Sequence, residues 1–249
     1  MKKIPTSHPR YLSLVTREQI SEAMKHGIVH ETGLIAHGRG EAFDYLLGET
    51  TISPADVAEK IAASTLLCAK NPVISVNGNV AALAADVCIS LAKNIPAKLE
   101  INLFHRTPVR IKKIAALLRK KGVKNVYGLN PNAKIPGLYS DRALCEKEGI
   151  FTSDVVLIPL EDGDRCQALQ RMGKIVIAID LNPLSRTAQA ASITIVDNVT
   201  RAVPRIEHWI YKLKDTKRSD LDKLVKTWDN TKNLAEVMSF LSKRLNSLS

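Results

Sequence analysis

The chain of 249 residues carries 36 lysines and arginines against 25 aspartates and glutamates, which gives a formal net charge of +11. Apolar residues make up 45% of the chain, so it can bury a core and is not a disordered polymer. The positive charge predicts anionic partners, which could be nucleic acid, a membrane surface or small phosphorylated substrates.

Residues 1–71 are predicted to form a helical region with loops. Thr16 is expected to cap a helix that ends at Gly27, and Ser53-Pro54 begins a second helix that runs to about Ala69. Between them lies a segment punctuated by glycines, residues 33–40, which we interpret as a loop. Its glycines would let the backbone approach a neighbour closely.

Residues 72–199 alternate between short apolar strands and helices, as expected for a parallel sheet with helices on both faces. The predicted strands cover residues 73–76, 98–103, 123–127, 155–159, 175–179 and 193–196. The predicted helices cover residues 80–93, 108–121, 141–148, 164–172 and 186–191. This pattern predicts a Rossmann-like α/β core, with one compact domain as the most economical arrangement.

Residues 200–249 are predicted to be a helical C-terminal segment. Apolar residues alternate steps of four and three near its end and form a short seam of Leu234, Met238, Leu241, Leu245 and Leu248. Such a seam either packs onto its own domain or forms a dimer interface, and two heptads do not decide between the two.

A basic run between Arg106 and Lys124 contains eight lysines and arginines and no acidic residue. One interpretation is a helix that tracks nucleic-acid phosphates. The favoured interpretation is the solvated face of an amphipathic helix, because an apolar stripe interrupts the charges. Aromatic residues are only 4% of the chain and do not interleave with this run, so we expect no nucleic-acid partner.

The cellular compartment is predicted from what the chain lacks. The start, residues 1–5, has no apolar core of a signal peptide, and no stretch is apolar and long enough for a membrane span. The four cysteines form no CxxC pair, which argues against a zinc site or a disulfide scaffold. We therefore expect a cytoplasmic protein that does not bind membranes.

Polar residues follow the predicted strands, and ligands of open parallel sheets bind at those carboxyl ends. Two strand-to-helix turns are the most informative: Asn77-Gly78-Asn79, and the segment from Asp180 to Thr187. In the second turn, Arg186 lies at the anion-attracting end of a helix and could complete a phosphate site. No P-loop and no GxGxxG motif occurs, so the residues alone indicate an α/β protein that binds an anionic small molecule.

Four segments resemble the archaeal 4-phosphopantoate–β-alanine ligases, also called phosphopantothenate synthetases. They are residues 8–14 followed by Arg17-Glu18, residues 33–48, residues 72–79 and residues 179–187. The resemblance implies a Rossmann-like homodimer that uses ATP to join 4-phosphopantoate to β-alanine in coenzyme A biosynthesis, with release of AMP and diphosphate. It also implies ATP contacts at Arg17, Arg39, Asp180, Leu181, Asn182, Arg186, Thr187, Asn198 and Val199.

The chemistry of that reaction suggests further roles. Arg17 and Arg39 would clamp the phosphates together with Mg²⁺, and His37 could accept the proton of the attacking amine. Position near the strand ends suggests a second set of residues for phosphopantoate and its acyl group: Arg10, Asn77, Asn79, His105 and Arg106. The alternatives are a basic nucleic-acid-binding protein and a nucleotide-binding regulatory protein without ligase chemistry.

Overall fold

The computed structural model describes residues 4–160 and 163–247, which form eleven α-helices and eight strands. The helices are α1 Tyr11–Lys25, α2 Glu31–Leu47, α3 Ser53–Cys68, α4 Gly78–Leu83, α5 Ala85–Asn94, α6 Pro108–Lys120, α7 Gly163–Arg171, α8 Arg186–Ala190, α9 Val199–Leu213, α10 Arg218–Lys226 and α11 Asn230–Asn246. The strands are β1 Pro72–Val76, β2 Lys98–Ile101, β3 Val126–Tyr127, β4 Ala133–Lys134, β5 Leu144–Cys145, β6 Val155–Pro159, β7 Ile175–Ile179 and β8 Ile193–Ile195. None of the helices in these ranges is both apolar enough and long enough to cross a bilayer.

Six strands form one parallel sheet in the order β3-β2-β1-β6-β7-β8. This is the Rossmann order, in which the chain starts at the centre, fills one half of the sheet and then returns to build the other half. The direction of winding reverses between β1 and β6, which pair through residues 72–74 and 155–157. The predicted α/β class and parallel sheet are confirmed, and the expected ligand position lies above this pair.

Strand residues alternate between two cores, one on each face of the sheet. Ile74, Leu157 and Ile177 face a large core built with α3, α5, α6 and α9. Val73, Val156 and Val176 face a second core, which α7 and the segment containing β4 and β5 cover. Burial on both faces explains why these strands are apolar throughout.

Helix α2 replaces the expected loop at residues 33–40. The ring of His30 accepts the Thr32 N–H at the start of this helix, and Gly48 ends it in a left-handed conformation with φ of 85°. Gly33 serves close packing rather than turning, because a Cβ there would lie 2.4 Å from Asn79 Oδ1, whereas a Cβ at Gly40 would make only an ordinary contact with Leu181. The predicted close backbone approach is confirmed at Gly33, but the predicted loop is wrong, because residues 33–40 are helical.

The expected cap at Thr16 is also wrong, because this residue lies inside α1 and its hydroxyl donates to the carbonyls of Leu12 and Ser13. Arg10 holds the N-cap position instead. The helix expected over 80–93 is two helices, because Ala84 leaves the helical region with φ of −135°. The turn can form there because the backbone N–H of Ala84 still bonds to the Val80 carbonyl.

The helix expected over 141–148 is wrong as well. Residues 141–143 form a single 3₁₀ turn, and β5 then pairs antiparallel with β4. The buried Glu100 carboxylate explains this choice, because it accepts the backbone N–H groups of Glu146 and Ile150 and holds the segment extended. The expected strands at 98–103 and 123–127 are shorter, ending at Ile101 and starting at Val126.

The C-terminal seam packs onto its own domain through Leu234 and Leu241. Leu241 is buried against Leu47 of α2, and Leu234 contacts the same cluster. Met238 and Leu245 remain partly exposed, whereas Leu248 lies outside the described residues. Helix α3 of the first predicted region packs on α9 of the last.

Candidate active site

A cavity of about 440 Å³ lies at the carboxyl ends of β1 and β6, where the winding of the sheet reverses. Its volume falls in the usual range for a small-molecule site. The walls are α2, the turn after β1, the segment after β2 and the turn after β7. Among the predicted site residues, the cavity brings together Arg39, Asn77, Asn79, His105, Asp180, Leu181 and Asn182.

Asn77 ties the two central strands together at the base of the cavity. Its side-chain amide donates to the carbonyls of Pro159 and Leu160, at 3.1 and 2.9 Å. Its side-chain oxygen accepts the N–H of Val80 and caps α4. Both polar ends of this side chain are therefore used to fix the geometry of the site.

Asn79 fixes α2 above the sheet. Its amide donates to the carbonyl of Gly33 at 2.9 Å, and a Cβ at Gly33 would approach Asn79 Oδ1 to 2.4 Å. Only a glycine therefore allows this approach without displacement of a neighbour. The contact places Arg39, further along the same helix, on the wall of the cavity.

The cavity is strongly cationic. Among its described lining residues, Asp180 is the sole carboxylate, against the three arginines Arg39, Arg110 and Arg142. Arg110 donates to the carbonyls of Ile28 and His105, at 3.0 and 2.7 Å, so its guanidinium is held in place. Such a surface attracts polyanions and orients them through charge-assisted hydrogen bonds.

Three basic groups of this wall were not predicted from the sequence: His30, Arg110 and Arg142. His30 caps a helix, Arg110 lies within α6, and Arg142 follows a loop, so none comes directly after a strand. Arg110 does belong to the basic run, but the amphipathic pattern favours solvent for its charges. The apolar stripe that was predicted for this amphipathic helix is confirmed, because Ile111, Ile114 and Leu118 are buried.

Two imidazoles stack at one end of the cavity. The rings of His30 and His105 lie 3.8 Å apart at an angle of 20°. Burial lowers the pKa of His30, and the neighbouring His105 and Arg110 lower it further. Because Nδ1 of His30 accepts the Thr32 N–H, its neutral form carries the proton on Nε2 and can donate a hydrogen bond from there.

The turn after β7 is ordered by Asp180. This carboxylate accepts the backbone N–H of Asn182 at 3.0 Å and the hydroxyl of Ser185 at 2.5 Å. Burial raises the pKa of Asp180, although these hydrogen bonds and the nearby Arg39 oppose the shift.

Arg186 and Thr187 lie away from this cavity. Arg186 lines a second cavity and forms a 2.6 Å ion pair with Asp164, while Thr187 is buried at the start of α8. Glu161 and Asp162, the polar residues that follow β6 in the sequence, lie outside the described residues. Phe104 borders both cavities.

Asn198 and Val199 follow β8 at the same edge of the sheet. The Asn198 side-chain oxygen accepts the N–H of Thr200 and caps α9, and its amide donates to Asp44 of α2 at 3.2 Å. The side chain of Val199 is buried in the core. A ligand at this position would therefore meet backbone groups rather than these side chains.

His37 lies on the face of α2 that points away from the cavity, and Arg17 of α1 contacts Glu41 on that face. The Arg17 guanidinium binds the Glu41 carboxylate, with Nε 3.0 and 2.9 Å from its two oxygens. Burial lowers the pKa of His37, whose Nε2 has no hydrogen-bond partner among residues 4–160 and 163–247. Within one chain, neither residue meets Arg39 at the cavity wall.

Arg10 and Arg106 also lie outside the cavity lining. Arg10 donates to the Tyr45 hydroxyl at 2.7 Å, next to Arg17. Arg106 turns inward after β2, where its guanidinium donates to the Gly128 carbonyl at 2.6 Å. Burial lowers the pKa of Arg106.

Comparison with known proteins identifies the family of this chain. Residues 54–244 match the family model described as phosphopantothenate/pantothenate synthetase. The chain is 54% identical to a protein named 4-phosphopantoate–β-alanine ligase from Thermococcus onnurineus, over 100% of the chain and 95% of that protein. Proteins of the same name from Thermococcus kodakarensis and Methanosarcina mazei are 53% and 50% identical, over 100% of the chain and 95% and 98% of their own lengths.

The predicted resemblance is therefore confirmed along the full length of the chain. The chain belongs to the phosphopantothenate/pantothenate synthetase family.

Proposed function

We propose that the chain condenses 4-phosphopantoate with β-alanine at the expense of ATP, forming 4′-phosphopantothenate, AMP and diphosphate for coenzyme A biosynthesis. The observation that carries this proposal is the cationic cavity at the switch point, in a chain half identical to proteins named for this reaction. Both larger substrates are polyanions, which the net charge of +11 favours.

A carboxylate is a poor electrophile, so the acid must first be activated. In the first step, a carboxylate oxygen of phosphopantoate attacks the α-phosphorus of ATP, and the bond to diphosphate breaks. In the second step, the amine of β-alanine attacks the acyl carbon of the adenylate, and the bond to AMP breaks. The ammonium group of β-alanine must lose one proton before this attack.

The geometry supports separate roles for the two ends of the cavity. In this proposal Arg39, which lines the cavity together with the Asp180–Asn182 turn, binds the phosphates of ATP. Arg110 and Arg142, beside the histidine stack, form the second cationic surface, which suits the phosphate of phosphopantoate. For the proton of the amine, the geometry favours His105 over His37, because only His105 lines the cavity.

The remaining predicted ATP contacts, Arg17, Arg186, Thr187, Asn198 and Val199, stay proposals based on the family. Arg17 and its neighbour Arg10 would reach a nucleotide if α1 and α2 moved or if a second subunit supplied them. Arg106 would act indirectly, by holding the Gly128 carbonyl beneath the segment after β2.

We propose that Mg²⁺ enters as the MgATP complex. No group of three acidic, histidine or cysteine side chains suited to a metal occurs among the described residues. Asp180 is the carboxylate nearest to Arg39 in the cavity, and both of its oxygens already accept hydrogen bonds. Mg²⁺ commonly keeps waters and phosphate oxygens as ligands, so it would screen the phosphates without a protein cage.

We also propose a homodimer that acts in the cytoplasm. Two large apolar side chains on neighbouring helices, Leu12 and Ile35, are 76% and 69% exposed. Light scattering should give twice the chain mass of 27.4 kDa. Leu12→Lys should lower that mass if α1 forms the interface, whereas an effect of Leu245→Lys would assign the interface to the C-terminal seam. The absence of any disulfide among the described cysteines fits a reducing compartment.

The test of the ligase proposal is product formation from ATP, phosphopantoate and β-alanine, with and without EDTA. We expect 4′-phosphopantothenate by mass spectrometry, together with AMP and diphosphate. Diphosphate release with the acid alone would support the adenylate, and ADP would reject it. Salt-sensitive nucleic-acid retention without turnover would instead support the alternative of a nucleic-acid-binding protein.

A further inference from the structure

Helix α2 carries Arg39. Polar contacts near its start and near its end attach this helix to the sheet. Near its start, Gly33 rests against the Asn79 side chain. Near its end, the buried carboxylate of Asp44 faces the polypeptide that follows β8. The orientation of Arg39 between these points depends on both attachments.

The second attachment is made by Arg201 on the first turn of α9. Its guanidinium binds Asp44 through two nitrogens, Nη2 to Oδ1 at 2.5 Å and Nη1 to Oδ2 at 3.1 Å. The same guanidinium binds Asp197, with Nε 2.8 Å and Nη2 2.6 Å from Oδ1. One side chain thus joins α2 to the end of the last strand.

The two carboxylates that Arg201 joins are buried. Asp197 is 1% exposed and Asp44 is 5% exposed, so their like charges would repel without a cation between them. Thr51 donates to Asp197 and Asn198 donates to Asp44, but both donors are neutral. Within this group, Arg201 supplies the positive charge and the forked geometry that both carboxylates need.

We propose that Arg201 is a positioning residue for the reaction, which acts by holding α2 so that Arg39 faces the Asp180 turn. This inference rests on the proposed role of Arg39 in binding ATP. Asp44 is five residues beyond Arg39, or about 7.5 Å along the helix axis, so a tilt at Asp44 is transmitted to Arg39. A displacement of about 1 Å at a site of charge stabilisation can cost a hundredfold in rate.

Arg205 provides a matched control one helical turn further along α9. It also binds two acidic residues, Asp56 and Glu59, but both belong to α3 rather than α2. Its substitution therefore removes a comparable ionic contact without releasing the helix that carries Arg39. Loss of fold stability alone would affect both variants.

The experiment compares Arg201→Ala with Arg205→Ala, using unfolding midpoints and the steady-state kinetics of ATP. We expect kcat/KM for ATP to fall more than tenfold in Arg201→Ala and less than threefold in Arg205→Ala. In an Arg39→Ala background, Arg201→Ala should change kcat/KM less than twofold, because its effect passes through Arg39. Where Arg201→Ala does not fold, the same criteria apply to Arg201→Lys and Arg205→Lys, because a lysine cannot make the forked contact.

Any one of three results would overturn the proposal. The first is a loss of kcat/KM below tenfold for Arg201→Ala in the wild-type background, and the second is an equal loss for Arg205→Ala. The third is a loss caused by Arg201→Ala that is undiminished in the Arg39→Ala background. Failure of the proposed function is a separate result, since the wild-type enzyme would then form no phosphopantothenate at all. An active wild-type enzyme with a fully active Arg201→Ala variant would reject the positioning role alone.

Discussion

Arg39 is the residue on which the proposed phosphate site depends most directly. Arg39 is exposed and lines the cavity together with Asp180, Leu181 and Asn182 of the turn after β7. We expect Arg39→Ala to reduce turnover more than tenfold, a loss of over about 1.4 kcal/mol of transition-state stabilisation. Arg119→Ala, which removes an exposed arginine of α6, is the matched control and should retain activity. Full activity of Arg39→Ala in the coupled diphosphate assay would exclude this role.

Asn77 allows a test of the switch point itself. Aspartate would keep the oxygen that caps α4, but it would place a carboxylate oxygen against the carbonyls of Pro159 and Leu160. We expect Asn77→Asp to lower the free energy of unfolding by about 1–3 kcal/mol, the cost of unsatisfied buried polar groups. Denaturant titration measures the change, and a loss of only a few tenths of a kcal/mol would show that the amide is not needed.

At this scale, the sequence predicts the site well where a residue directly follows a strand. Asn77 and Asp180 do so, and both line the cavity. His105 lines it too, although it lies four residues beyond the end of β2. Arg110 and Arg142 reach the same cavity from a helix and a 3₁₀ turn, so their approach depends on tertiary packing that no local pattern encodes. Arg17 shows the reverse case, because its partner Glu41 directs it to the other side of α2.

Among the elements, α2 differs most from expectation, and the reason is physical. Three glycines within eight residues normally weaken a helix, since each costs about 1 kcal/mol relative to alanine. Here the helix is supported by its contacts: the Gly33 carbonyl accepts from Asn79, and Leu47 and Asp44 are buried at the other end. Packing therefore overrides local propensity in a helix whose partner segments are distant in sequence.

Two glycines of α2 form a matched pair for testing this view. A Cβ at Gly38 would have nothing within 4 Å, whereas one at Gly33 would lie 2.4 Å from Asn79 Oδ1 and 2.9 Å from Val29 Cγ1. We expect Gly38→Ala to stabilise the protein by about 0.5–1 kcal/mol through helix propensity. Gly33→Ala should destabilise it and reduce ligase activity, because α2 must move away from the sheet. Equal unfolding midpoints for the two variants would contradict the close approach at Gly33.

For the whole molecule, the alternation of strands and helices was enough to predict a parallel sheet, but not which helices cover which strands. The packing of α3 on α9 joins segments about 140 residues apart in the sequence. This contact between α3 and α9 is partly ionic, because Arg205 of α9 binds Asp56 and Glu59 of α3. Charged residues in an amphipathic helix are normally expected to face solvent, so the sequence pattern does not reveal this partly buried contact.

Glu59, in the contact between α3 and α9, makes the stability of the fold depend on pH. Glu59 is fully buried, and burial, with the nearby Asp197 charge, raises its pKa to about 8 from an ordinary value of 4.5. Because the folded state holds the proton more tightly, the contribution of Glu59 to stability is complete below about pH 4.5. It is lost as the pH rises through 8, at a rate of at most about 1.4 kcal/mol per pH unit.

Glu59→Gln keeps an oxygen that can accept from Arg205 but cannot ionise, so this variant should not show that loss. We expect its free energy of unfolding to exceed the wild-type value by about 3 kcal/mol more at pH 8 than at pH 5.5, measured by guanidinium titration. Other titrating groups, including Glu100, are common to both proteins and cancel in this difference. Glu236→Gln, at an exposed position of α11, is the control and should leave the pH profile of stability unchanged. Parallel profiles for wild type and Glu59→Gln would mean that Glu59 is already ionised in the folded protein, with Arg205 compensating its charge.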